Sequence, residues 1–125
     1  MPALNLTTVE IKAFVPAIDF ALSKRFYQAL GFTLASDSHD VAYFHHGDCS
    51  FLLQDIQLPA VAANLMMHLL VESVDDWYAH VQTQRIAEQF GVRVDAPVNQ
   101  PWAMRDFVLF DPSGVLWRIA QNLQR

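Results

Sequence analysis

The strongest constraint on this chain is an order of elements, strand then helix then three strands, that can be read twice within its 125 residues. Apolar alternation from Thr8 to Val15 predicts a strand. Pro16 interrupts it, Asp19 is placed to cap a helix running to about Leu30, and Gly31 is its C-terminal stop. Leu22, Phe26 and Leu30 form the apolar stripe of that helix. Three short strands are expected at Thr33–Ser36, Val41–His45 and Cys49–Ile56, the last two joined through His46-Gly47-Asp48. Residues 57–64 contain Pro59 and no clear period, which predicts a linker.

The same order then returns. Leu65–Glu72 has strand character, Ser73 and Asp76 have capping-box spacing, and Val74, Trp77, Tyr78 and Val81 make a helical stripe. The stripe loses phase near Thr83–Arg85 and resumes at Ile86, Phe90 and Gly91, so a break or a second short helix is expected there. Strands are predicted at Val92–Ala96, Met104–Phe110 and Val115–Gln121. Identity between the halves is slight, so the duplicated α+β unit is an inference from pattern.

A chain of this length can bury roughly two-thirds of the surface its unfolded form exposes, and needs no disulfide to do so. The single Cys49 has no partner in the chain and sits in a strand pattern, where a small core or edge residue is the simplest role. No charged leader precedes an apolar run, and no apolar stretch approaches the ~20 residues that span a bilayer. A reducing cytoplasm is the expected location. The formal net charge of −5 disfavours sequence-independent binding of nucleic acid and suits a neutral or cationic small molecule.

The segment Gln100–Arg118 carries the chemistry. Trp102 follows Pro101 in a polar run, where a large ring gains little unless something stacks on it, and Arg105 and Arg118 lie on flanking strands. That combination suits a flat or anionic ligand. Trp117 alternates against Arg118, so if Arg118 faces a cleft Trp117 faces the core. Trp77, Tyr78, Phe26 and Phe90 sit on helical stripes and are also assigned to the core. Phe14, Tyr43, Trp102 and Phe107 are the aromatic candidates for the cleft. His39, His45, His46 and His80 lack the spacing of metal ligands; His68 is a candidate hydrogen-bonding group or base.

Pro101-Trp102, Arg105-Asp106-Phe107 and the turn Asp111-Pro112-Ser113-Gly114 resemble the C-terminal part of bleomycin-resistance proteins. Phe14-Val15-Pro16, Asp19, Ser23, Phe26-Tyr27 and Leu30-Gly31-Phe32 resemble the opening of the vicinal oxygen chelate superfamily, which also holds glyoxalases and extradiol dioxygenases. The resemblance implies two βαβββ modules, about residues 7–57 and 65–122 of a single domain, forming a curved eight-stranded mixed sheet around a cleft. In the enzymes of the superfamily, His and Glu side chains on four strands hold a divalent metal. Carried onto this chain, those positions fall on Lys12, on or beside Gln54, on Met66 and on Arg118, which do not make a hard-metal site. A displaced metal held by Glu10 and His68 is the alternative, since each lies two residues from a family position and so on the same strand face.

The resemblance therefore implies a non-enzymatic binding protein of the bleomycin-resistance type, an antibiotic-sequestering homodimer with clefts built from both subunits and no cofactor. Trp102 and Phe107 would stack on planar parts of the ligand, Lys12, Arg105 and Arg118 would meet carbonyl or anionic groups, and Gln54 and His68 would supply directional hydrogen bonds, with Phe14 and Tyr43 lining the same cleft. The rival expectation is a glyoxalase-like or dioxygenase-like enzyme dependent on a divalent metal. A dimeric scaffold without a ligand is a third.

Overall fold

A computed structural model describes residues 3–124. The elements follow the order β1 (Phe14–Ala17), α1 (Phe20–Leu30), β2 (Thr33–Asp37), β3 (Val41–His46), β4 (Cys49–Asp55), α2 (Pro59–Asn64), β5 (Met66–Leu70), α3 (Val74–Thr83), α4 (Ile86–Phe90), β6 (Val98–Gln100), β7 (Met104–Phe110) and β8 (Leu116–Asn122). The α+β class and the two βαβββ-like modules are those expected.

Each module forms its own four-stranded mixed sheet, ordered β1-β4-β3-β2 in the first and β5-β8-β7-β6 in the second. In both, the strand before the first long helix pairs in parallel with the last strand of the module. No ladder joins the two sheets among the described residues, so one chain does not close a single eight-stranded surface.

Local chemistry accounts for most boundaries. Asp19 caps α1 by accepting from the Leu22 N–H at 3.1 Å, and Gly31 ends it at φ 119°, a backbone conformation that a side chain would strain. Ser73 caps α3 through the Asp76 N–H at 3.2 Å. The expected break after Thr83 is present, made by Arg85 at φ 53° between α3 and α4.

Three expectations change. Residues 57–64 contain the short helix α2 instead of a bare linker, because Pro59 stands where its missing N–H costs nothing and alanines follow it. The first strand begins at Phe14 rather than Thr8, where the ladder to Leu52 of β4 starts; residues 3–13 carry no regular structure. Within Val92–Ala96 only Val94 makes an isolated bridge, to Leu109, and the edge strand of the second sheet is Val98–Gln100.

One core serves both modules. Val15, Phe26, Tyr27, Phe44, Phe51 and Leu53 of the first pack in the same cluster as Phe107, Leu109, Trp117 and Ile119 of the second. Tyr27, Phe32 and Phe51 all lie with ring centroids 5.4–5.6 Å from Trp117. The inner faces of both sheets thus meet around the helices, and their outer faces look away from that core.

Candidate functional site

The outer face of the first sheet is built in rows set by strand register. Phe14, Leu52 and Tyr43 are aligned across β1, β4 and β3, and Pro16, Gln54 and Val41 form the next row. Phe14 is 56% exposed, and Tyr43, Leu52 and Gln54 are half-buried. The structure therefore brings Phe14, Tyr43 and Gln54 onto one surface.

Lys12 joins that surface through Glu10. The Glu10 carboxylate accepts from Lys12 Nζ at 2.7 Å, from Tyr43 Oη at 3.0 Å and from the Ser50 hydroxyl, while Lys12 Nζ lies 5.4 Å from the Tyr43 ring centroid. The hydrogen bond from Lys12 is the largest of the influences that pull the Glu10 pKa down to about 2, and the same contact raises that of Lys12. This pairing ties residues 10–12 to β3 and β4. Gln54 lies four residues along β4 from Ser50, ~13 Å away, so it does not converge on Lys12.

On the second sheet, His68 and Arg118 are register partners on the outer face, in a row with Val108. Arg118 Nη1 donates to Asp106 Oδ2 at 3.0 Å, and Gln100 Nε2 donates to Asp106 Oδ1 at 2.9 Å. Asp106 is buried, so its charge is held by two directed donors. Asp106, Arg118, Gln100 and Val98 border a hollow of about 290 Å³. Met66 and Leu70 on β5 and Val98 on β6 present apolar side chains 53–55% exposed on this face.

Two residues expected in the cleft lie on the opposite face. Phe107 pairs in register with Ile119, is 1% exposed and packs edge-on against Tyr78 at 5.4 Å between centroids. Arg105 points the same way, its Nε 3.0 Å from Asp75 Oδ1 and its Nη1 3.1 Å from Asn99 Oδ1. With Gln121 Oε1, which accepts the Val74 N–H at 2.9 Å, Arg105 fastens the start of α3 to the sheet. Both follow from strand parity, since Asp106 takes the outer position on β7 and its neighbours must turn inward.

Trp102 stands apart at the tip of the β6–β7 hairpin. Gln100 and Met104 close the turn as register partners, and the Ala103 N–H donates to the Gln100 carbonyl at 3.2 Å. Pro101 takes the first turn position, and Ala103 adopts φ 64°, the place glycine usually fills in three-residue hairpins. Trp102 is 58% exposed at that tip.

The family metal positions carry positive charge at Lys12 and Arg118 and no charge at Gln54 and Met66, so this donor set does not fit a divalent ion. Glu10 and His68 do border one cavity, of about 450 Å³, between residues 9–11, the start of β4 and β5. The Glu10 carboxylate there is already engaged by an ammonium, and among the described residues no three His, Cys, Asp or Glu side chains are grouped to hold a metal.

Ser50, Leu52 and Asp106 belong to the outer faces and were not singled out from sequence. Period-two counting from Gln54 along β4 would have found the first two. Asp106 needed the β7–β8 register, which only the fold supplies.

Residues 9–119 match the model of the Glyoxalase/Bleomycin resistance protein/Dioxygenase superfamily. A bleomycin-binding protein complexed with bleomycin is similar at 24% identity and a TM-score of 0.78, covering 92% of this chain and 99% of that one. TnmS3, an antibiotic binding protein from Streptomyces sp. CB03234, is similar at 26% identity and a TM-score of 0.73, covering 94% and 99%. Lactoylglutathione lyase from Agrobacterium tumefaciens shares the architecture at 15% identity and a TM-score of 0.67, covering 92% and 95%. No curated protein matches the sequence. No helix among the described residues is long and apolar enough to cross a membrane. Two modules on one plan, a matching family model over nearly the whole chain and these solved relatives lead to one conclusion: the chain belongs to the glyoxalase/bleomycin resistance protein/dioxygenase superfamily.

Proposed function

We propose that the protein sequesters a planar, partly polar small molecule of the antibiotic kind, without a metal and without chemistry, as a cytoplasmic homodimer whose clefts are built from both copies. The observation that carries this reading is the pair of outer sheet faces. Each joins exposed apolar side chains, Phe14 on one and Met66 and Leu70 on the other, to fixed polar groups, yet the two faces of one chain look away from a shared core. A second copy would complete a cleft that one chain leaves half open. Leu4, Leu6, Val9 and Ile11, 83–98% exposed, add apolar surface for that partner.

Within such a cleft Phe14 and Tyr43 offer ring faces, Gln54 and His68 offer directional hydrogen bonds, and Trp102 closes over the ligand from the hairpin tip. The similarity to a bleomycin-binding protein and to the antibiotic binding protein TnmS3 supports a ligand of this class. The test is a tryptophan-fluorescence screen of planar antibiotics and aromatic metabolites, with each hit measured again by calorimetry in Trp102→Ala and Trp102→Phe. Binding should weaken in the first and largely persist in the second. Equal affinity in all three proteins would remove Trp102 from the site.

A second reading is a glyoxalase-like or dioxygenase-like metalloenzyme using Glu10 and His68, and the cavity they share favours it. The Lys12 ammonium on Glu10 weighs against it. Elemental analysis of protein purified without chelator separates the two: near-stoichiometric zinc, nickel, iron or manganese, lost on Glu10→Ala or His68→Ala, would make the enzyme the better reading.

A further inference from the structure

Along the seam between the modules two hollows run into one another, and the larger reaches the cavity of Glu10 and His68 at Cys49, Leu69 and Leu70. The smaller, about 230 Å³, is lined by Leu30, Gly31, His46, Asp76, Trp77 and His80. The larger, about 420 Å³, shares His46, Asp76 and Trp77 with it and continues past Leu69 to Glu72. No Lys or Arg lines either hollow, whereas Asp76 borders both and Glu72 one. We propose that this groove is a second ligand site, taking a small organic cation with an alkylammonium head in the smaller hollow, which shares no lining residue with the cavity of Glu10 and His68.

The side chains there are arranged for such a group. The Trp77 ring lies 5.1 Å from that of His46 and 6.3 Å from that of His80, so three aromatic rings surround the smaller hollow. His80 Nε2 lies 3.0 Å from the Leu30 carbonyl oxygen and must be the donor, which fixes the ring at the end of α1. Gly31 forms the floor. A Cβ there would sit 3.6 Å from His80 Nε2 and 3.9 Å from His46 Cδ2, occupying the space between the imidazoles. The Asp76 backbone N–H is taken by the Ser73 hydroxyl, but its carboxylate has no hydrogen bond or ion pair among the described residues.

An indole face beside an unpaired carboxylate attracts a cation by ring quadrupole and by charge together, and the apolar wall of Leu30 and Leu69 suits its alkyl part. An anion would meet the Asp76 and Glu72 carboxylates with no Lys or Arg to offset them. A neutral ligand would use neither.

The experiment uses the indole N–H signals of Trp77, Trp102 and Trp117 in ¹H–¹⁵N spectra of the full chain, assigned with single Trp→Phe variants. Choline and n-butylammonium should shift the Trp77 signal saturably in the millimolar range while the other two stay in place, and butyrate should shift none. Asp76→Asn should weaken the response about tenfold or more, with Asp76→Glu keeping most of it and unchanged melting showing that both variants fold. Glu72→Gln, farther along the groove, should have a smaller effect. A stationary Trp77 signal, an equal response to butyrate, or an Asp76→Asn protein that titrates like the parent would each overturn the proposal. Movement of Trp102 alone would overturn it too, because the cation would then occupy the cleft. A fluorescence screen that finds no planar ligand leaves this result standing by itself.

Discussion

Tyr27 Oη donates to Asp111 Oδ2 across 2.5 Å and accepts from Trp117 Nε1 at 2.9 Å, linking α1 of the first module to the turn and last strand of the second. The other Asp111 oxygen accepts the Ser113 and Val115 N–H groups that shape the Asp-Pro-Ser-Gly turn, where Gly114 sits at φ 95°. Tyr27→Phe leaves a buried carboxylate oxygen and a buried indole N–H unpaired. A loss of ~2–4 kcal/mol is expected, read in urea as a lower midpoint at unchanged slope. Burial, the largest influence, raises the Asp111 pKa above its ordinary 3.8. Its contribution to stability is therefore full below that value and declines as pH rises through the raised one, a trend that Asp111→Asn should remove.

Ala103 holds a left-handed conformation that costs an L-residue ~1–2 kcal/mol, and its chain neighbour Trp102 sits at the hairpin tip. Ala103→Gly should relieve that strain at some entropic cost, for a net gain of ~0.5–1 kcal/mol. A valine there should do the reverse. Differential scanning calorimetry of the three proteins checks the order.

Phe107 and Trp102 should separate packing from exposure. Phe107→Ala removes a ring that is 1% exposed and should cost ~3–5 kcal/mol, whereas Trp102→Ala, on a ring more than half exposed, should change stability by no more than ~0.5 kcal/mol. Chemical denaturation of both variants decides; comparable losses would mean that the hairpin tip packs on something.

The proposed dimer has its own signature. Sedimentation should give about twice the chain mass of 14.2 kDa. Phe14→Asp and Met66→Asp, each on a different outer face, should both shift the equilibrium toward monomer. A single-chain mass at micromolar protein would rule out the shared cleft and leave the fold untouched.

Glu10 allows a test by acid titration. Its pKa is depressed, chiefly by Lys12, so the link to Ser50 and Tyr43 should be complete above the ordinary glutamate value of 4.5 and lost as pH falls toward about 2. A ¹³C carboxyl titration reads this directly. In Lys12→Ala the midpoint should move upward.

Much of this architecture could be read from local chemistry. Asp19, Gly31 and Ser73 act through neighbours three or four residues away, so their caps are visible in sequence. The bounds of β7, Met104–Phe110, are legible because its apolar residues run up to the turn residues Asp111-Pro112. Its facing is not. Whether Arg105 or Asp106 shares a surface with Arg118 depends on the β7–β8 register, a long-range pairing that no local pattern encodes, and Arg105 and Phe107 were assigned to the wrong face for that reason. The edge strand was misplaced because Val92 and Val94 look like strand residues but only Val94 bridges Leu109.

The common core bears on how such a chain can fold at all. A module by itself would leave its outer face bare and, on the inner face beyond the cover of its own helix, would expose rings that here enclose Trp117. Separate halves are then incomplete molecules rather than small domains. Their stability is collective, and loosening at Tyr27 or Trp117 should spread through the whole chain instead of melting one half. A lone module of this design would need a second surface, such as another copy of itself, to bury that face.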